Sequence, residues 1–156
     1  LARELDGTAA GDLRCVSSSA DVIVCCTSAR KPFLYADMVA PGTFIAAVGA
    51  DNPDKSEIAP GLMARATVVV DSLEQCATMG DLHHAIAAGV MTETDVHAEL
   101  ADVITGVARG RRSADEIIIF DSTGTGLLDV AASAVIYESC IAAGLGESWR
   151  LREHSR

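Results

Sequence analysis

Apolar positions fall in short blocks along this chain. Four runs stand out: residues 21–27 (DVIVCCT), 44–48 (FIAAV), 67–71 (TVVVD) and 116–121 (EIIIFD). Each is rich in β-branched residues, too short for a core helix, and bounded by polar or turn residues, so each reads as a buried strand. Helical segments are expected between them. Residues 60–65 form a short one. Residues 73–88 form a longer one, broken near Gly80. Residues 94–105 follow, with Gly106 as a stop, and residues 127–143 are the longest, ended by Gly144 and Gly146. Residues 6–19 allow two readings, a strand over 13–16 or a helix running into Asp21. Strands alternating with helices predict an α/β fold with a parallel, doubly wound sheet. That sheet is expected to be partial and to end in a long carboxyl-terminal helix, the domain covering 1–146 and a solvated tail 147–156.

Composition sharpens this picture. Apolar residues make up 49% of the chain and aromatics only 4%, so the core is aliphatic, as suits parallel strands covered by helices. The net charge of −10 repels phosphate backbones and argues against nucleic acid as a partner. The five cysteines show no paired metal-ligand spacing, and Cys25 and Cys26 sit inside an apolar strand, which points to a reducing, cytoplasmic setting. No uninterrupted apolar run approaches the roughly 20 residues of a membrane span, so no membrane association is expected. The first six residues read as the last turns of a helix with no initiator Met, so the chain is expected to start inside a larger protein.

The carboxyl ends of three strands carry the candidate chemistry. In an open parallel sheet, ligands bind outside these ends. The run 44–48 leads into Gly49-Ala50-Asp51-Asn52-Pro53-Asp54-Lys55, where a carboxylate and an ammonium lie close enough to move protons and hold an anion. The same Asn-Pro-Asp is ordinary turn chemistry. The run 21–27 ends at Thr27. The run 116–121 ends in Asp121-Ser122-Thr123-Gly124-Thr125-Gly126 and enters the long helix. Its glycines and helix start suit a cofactor phosphate or carboxamide, while Ser or Thr there also serves as a helix cap. No GxGxxG fingerprint occurs in the chain. Asp81-Leu82-His83-His84 invites a metal reading, but adjacent histidines point to different sides of a helix, so no metal site is expected.

The stretches GADNPDKSEI at 49–58, ADVIVCCTSA at 20–29, DLHHAIAAG at 81–89 and DEIIIFDSTGTGLLDVAASA at 115–134 are similar, in order and spacing, to the ornithine cyclodeaminase/mu-crystallin family. The resemblance implies NAD or NADP bound in a Rossmann domain and hydride transfer at the α-carbon of an amino acid or cyclic imine, by cyclodeamination or imine reduction. It places the family's acid/base aspartate on Asp51 and a cofactor-contacting lysine on Lys55. Thr27 and Ser122 fall on residues near the cofactor, and Val48, Gly49 and Ala50 on backbone around the reaction centre. Asp51 and Thr123 fall on substrate contacts. It also implies a homodimer for the intact protein. Its glycine-rich turn and amino-terminal substrate domain would lie upstream of Leu1, so the chain alone is expected to be inactive. An alternative is a mu-crystallin-like protein that binds NADP and a small ligand without turnover; proteins of that type tend to lack the acid found here as Asp51.

Overall fold

The β-branched runs do form strands, and polar residues at their ends stop them. A computed structural model describes residues 6–147 together with Ala2, Glu4 and Trp149. The chain divides into two units, Leu1–Gly124 and Thr125–Arg156. The first unit contains, in order, α1 (Leu13–Ser17), β1 (Val22–Cys25), β2 (Arg30–Leu34), β3 (Phe44–Ala47), β4 (Ser56–Ile58), α2 (Pro60–Met63), β5 (Thr67–Val70), α3 (Leu73–Cys76), α4 (Asp81–Ala87), β6 (Ala98–Glu99), α5 (Leu100–Ile104) and β7 (Ile118–Asp121). Five strands form one sheet in the order β1-β3-β7-β5-β6, every pairing parallel. β2 and β4 form a separate two-stranded parallel ladder. The second unit is α6 (Gly126–Ala143) with its flanks. The architecture is therefore α/β with a parallel sheet and a long carboxyl-terminal helix.

Parallel register sets side chains in rows across the sheet. Ile23, Ile45, Ile119 and Val68 are partners in one row, and Cys25, Ala47, Asp121 and Val70 in the next. These rows, apart from Asp121, join Leu62 and Met63 of α2, Leu82 and Ala85 of α4, and Leu34 and Ile58 in one core cluster. Burying a Leu or Ile side chain contributes about 1.5–3 kcal/mol, and Ile45, Ile58, Leu62, Leu82 and Ile119 are all fully buried. That face of the sheet holds the unit together. On the opposite face Val22 and Val24 of the edge strand β1 are exposed, and a groove of about 470 Å³ opens between the sheet and α5, lined by Phe44, Thr67, Val69, Leu100, Val103 and Phe120 among others.

The structure departs from the sequence reading at three places. Residues 94–105 are not one helix. Thr92 and Asp95 form a capping box around a 3-10 turn, after which Ala98–Glu99 extends and pairs with Val69 and Val70, so a helix forms only from Leu100 to Ile104. The ladder β2–β4 was not anticipated, because Arg30-Lys31-Pro32 and Ser56-Glu57 are polar. Of the two readings for residues 6–19, the strand over 13–16 is not found; a short helix, Leu13–Ser17, forms instead and stops before Asp21, with Asp12 capping it by accepting the Arg14 and Cys15 N–H groups. Among the described residues one helix, Gly126–Ala143, is long and apolar enough to cross a membrane (18 residues, mean hydropathy 1.5). Asp129, Ser133, Glu138 and Ser139 interrupt its apolar sequence. Its limits otherwise agree with expectation, with Gly144 at φ 64° in the left-handed cap that suits glycine. The solvated tail expected over 147–156 lies outside the described residues except for Glu147 and Trp149, as do Leu1, Arg3 and Leu5.

Candidate functional site

β3 runs between β1 and β7, so the loops after Cys25, Ala47 and Asp121 are neighbours on one edge of the sheet. Backbone pairing continues into them. The Val48 N–H donates to the Cys25 carbonyl (2.9 Å) and the Ser122 N–H to the Ala47 carbonyl (2.9 Å). All eight residues singled out from the sequence (Thr27, Val48, Gly49, Ala50, Asp51, Lys55, Ser122 and Thr123) lie on these three loops.

The turn and site readings of 52–55 are compatible. The Asn52 side chain accepts the Asp54 N–H (3.0 Å), and the Lys55 N–H donates to the Asn52 carbonyl (3.2 Å). This Asx turn folds the chain back and brings the Lys55 ammonium to 2.7 Å from the Asp51 carboxylate. The Asn52 amide donates to the same Asp51 oxygen (3.1 Å). The hydrogen bond from Lys55 holds the Asp51 carboxyl below its usual range. Asp51 is open to solvent and Lys55 half-buried, so the pair stands at the mouth of the edge.

A buried carboxylate lies beneath this loop. Glu57 is fully buried, and accepts the N–H groups of Thr27 (2.6 Å) and Gly49 (3.0 Å). Its own N–H donates to Asp81 Oδ1 (2.8 Å), which also accepts from Ile58 N–H and the Ser56 hydroxyl. The His84 Nε2 donates to the Lys55 carbonyl (2.8 Å), which fixes its tautomer. His83 lies against the Ala77 carbonyl instead (3.3 Å). The two histidines thus support separate backbone segments.

The third loop is held from α3. Asp71 Oδ2 accepts the Ser122 hydroxyl (2.8 Å) and the Gly124 N–H (2.9 Å), while Oδ1 accepts the Ser72 N–H and the Cys76 thiol. The Gln75 amide donates to Thr123 Oγ1 (2.8 Å) and the Gly124 carbonyl (2.7 Å). Because the Ser122 proton is committed to Asp71, Ser122 presents only acceptor lone pairs to a ligand. It suits an amide or amine N–H. Burial pushes the Cys76 and Cys25 thiols up to about 12, so neither is a nucleophile at neutral pH. Ser72 caps α3 by accepting the Gln75 N–H.

Asp121, the last residue of β7, is fully buried, accepts the Leu82 N–H through Oδ2 (2.8 Å), and leaves Oδ1 without a hydrogen-bond partner. Burial, reinforced by the charge of Asp81, pushes its carboxyl from 3.8 up to about 7. Burial raises Asp81 as well. A folded state that keeps this proton to about pH 7, against an unfolded state that releases it near 3.8, binds more protons between those values. The stabilisation is therefore complete below about pH 4 and is lost as pH rises to about 7, by at most about 4 kcal/mol. Urea midpoints measured from pH 4 to 8 are expected to fall more steeply for the wild type than for Asp121→Asn, which carries no titrating proton there.

Sequence reasoning did not single out Glu57, Asp71, Gln75 or Asp121. The available signal was an acid beside or within an apolar run: Glu57 next to Ile58, Asp71 after TVVV, Asp121 after IIIF. An acid beside a buried strand must find donors, and Glu57 and Asp71 find theirs in the loops of the site.

Comparison with known proteins agrees with this geometry. Alanine dehydrogenase of Archaeoglobus fulgidus is 43% identical over 130 residues, 83% of this chain and 40% of that protein. An archaeal alanine dehydrogenase dimer with bound NAD superposes with a TM-score of 0.87 at 38% identity, covering 96% of this chain and 47% of that one. Thermococcus litoralis Δ1-pyrroline-2-carboxylate reductase, in complex with NADH and L-proline, gives 0.81 at 29% identity, over 87% and 42%. The chain spans about two fifths of the length of the curated relatives it matches. The model of the ornithine cyclodeaminase/mu-crystallin family matches residues 2–144, nearly the whole described fold, and this chain belongs to that family.

Proposed function

We propose that this chain is the part of an NAD- or NADP-dependent enzyme that carries the acid/base group for hydride chemistry at the α-carbon of an amino acid or imine. The observation that carries the reading is the Asp51–Lys55 pair, 2.7 Å apart, standing on the middle one of three adjacent strand ends. Solved relatives that superpose on this chain hold NAD, or NADH with L-proline.

The residues present fit the nicotinamide end of such a cofactor. Ser122 offers an acceptor fixed by Asp71. Gly124, at φ 77°, has open space where a Cβ would be, so backbone there is approachable. Thr27, Val48, Gly49, Ala50, Lys55 and Ser122 would hold the cofactor, and Asp51 and Thr123 would face substrate. The bound nicotinamide supplies the hydride acceptor and donor. The chain's own residues manage protons. Ionised Asp51 takes a proton from the substrate ammonium, making the amine from which an imine forms, and returns it on the reverse path. Lys55 keeps Asp51 ionised between turnovers. Thr27 Oγ1 accepts the Ala29 N–H (3.1 Å), which leaves the Thr27 hydroxyl proton to donate outward. The intact protein would be a cytoplasmic homodimer, a setting that suits five free cysteines.

The test is product analysis of the intact protein with alanine, ornithine and pyrroline-2-carboxylate. Change in reduced cofactor with one of them, or ammonia from ornithine without net change in cofactor, is expected. Intact, folded protein that binds the cofactor yet turns over none of these or related amino and imino acids would favour a ligand-binding role.

A further inference from the structure

Glu57 is a charged side chain with no exposed surface, and its two oxygens serve two different loops. The backbone ladder between β1 and β3 closes with the Val48 N–H on the Cys25 carbonyl (2.9 Å). Beyond that point the strands separate, and Glu57 bridges them: Oε1 accepts the Thr27 N–H at 2.6 Å and Oε2 the Gly49 N–H at 3.0 Å. An apolar side chain would fill the same space without desolvating a charge. What the carboxylate adds is a pair of charge-assisted hydrogen bonds of fixed span. The fit is close on the other side too. A Cβ on Gly49 would lie 2.5 Å from Glu57 Oε1, so the site requires glycine at 49 because the carboxylate is there.

The same residue closes the loop that carries the chemistry. Gly49 precedes Asp51, and Glu57 follows Lys55, so the bond between them ties both ends of the Asp51–Lys55 turn together. Glu57 is itself anchored, its N–H on Asp81 Oδ1 (2.8 Å), and His84 steadies the turn through the Lys55 carbonyl (2.8 Å). Asp51 is thus mounted on a loop clamped at its base and free at its tip.

We propose that Glu57 is the positioning residue of this site: it touches no substrate, and it sets the distance between the Thr27 and Gly49 backbones and, through that, the placement of the Asp51–Lys55 pair. The inference rests on the reading of Asp51 as the acid/base group. Glu57→Gln keeps the shape but offers a single acceptor oxygen, so one of the two N–H groups faces an amide NH2. Glu57→Asp keeps the charge but is one methylene short of spanning both loops.

The test uses the intact protein with carboxyl-labelled aspartate, the Asp51 resonance being assigned by its loss in Asp51→Asn. In folded Glu57→Gln and Glu57→Asp, the Asp51 carboxyl is expected to titrate higher than in the wild type, because its Lys55 partner is no longer held in place. The Thr27 and Gly49 amides are expected to exchange faster. In turnover, kcat should fall by about 10²-fold, the scale of an ångström-level misplacement, while KM changes far less. Folded variants in which Asp51 titrates as in the wild type and both amides stay protected would overturn the proposal, whatever their stability. If the wild type neither binds NADH nor turns over, the functional reading fails, and the titration and exchange data still decide the positioning role.

Discussion

Asp51→Asn in the intact protein is expected to lower turnover by about 10²–10⁴-fold, the usual contribution of a positioned acid/base group, while cofactor affinity is retained. Asn matches Asp in size and still accepts a hydrogen bond from Lys55, so the turn at 52–55 keeps its Asx geometry. What disappears is the capacity to take and return a proton. The companion variant Lys55→Met separates the two halves of the pair. Lys55 holds the Asp51 carboxyl below its ordinary range, so its removal lets that pKa rise. The acid limb of the rate profile, where Asp51 becomes protonated and stops acting as a base, should move to higher pH. Steady-state rates against pH for wild type and both variants check this. An Asp51→Asn protein that turns over within a few-fold of wild type would remove Asp51 from the mechanism.

The second large effect is structural. Gly80→Ala is expected to destabilise the fold by roughly 2–5 kcal/mol, the sum of a strained backbone and an overpacked contact. Gly80 sits at φ 90°, ψ −174° as the cap of α4, a region essentially reserved for glycine. Its missing Cβ would lie 2.8 Å from the Thr123 methyl and 3.3 Å from both Asp121 carboxylate oxygens. The residue on which α4 begins therefore packs against the third loop of the site. Gly89→Ala supplies the contrast. Gly89 also has a positive φ, 69°, but nothing lies near its missing Cβ, so only the left-handed backbone cost of about 1–2 kcal/mol applies. Urea unfolding of the two variants should separate them clearly. Equal losses would mean that the contact with Thr123 and Asp121 carries no weight. Net stabilities of domains are only about 5–15 kcal/mol, so Gly80→Ala is also expected to lower the yield of folded protein.

The central strands were legible because each packs its core-facing side chains against helices and reads as an unbroken aliphatic run; Ile45, Val68 and Ile119 are fully buried. The break near Gly80 was legible because glycine disfavours a helix interior; α3 ends at Cys76, and Gly80 caps the start of α4. β6 was not, because Ala98–Glu99 is strand only through its register with Val69 and Val70, a tertiary fact with no local signature. β4 was hidden for a related reason: Ser56 and Glu57 read as loop, and the acceptors for their donors, the Ala29 carbonyl and Asp81, lie far along the chain. The same limit divides the site. The exposed members, Asp51 and Thr27, are polar residues at strand ends and announce themselves. Glu57, which is buried, and Asp71, which is half-buried, hold the loops through partners 30 and 51 residues away; an apolar neighbour marks each acid, but not the loop that it holds. Asp121 was read as the end of a strand, which it is; that it also ties β7 to α4 follows only from the fold.

The most direct test of the whole account is calorimetric titration of the intact protein with NAD(H) and NADP(H). The account predicts saturable binding of one of these dinucleotides, one per chain, which Asp51→Asn preserves. Correctly folded intact protein that binds neither would contradict it, because the edge formed by Thr27, Gly49 and Ser122 would then not be a nicotinamide site.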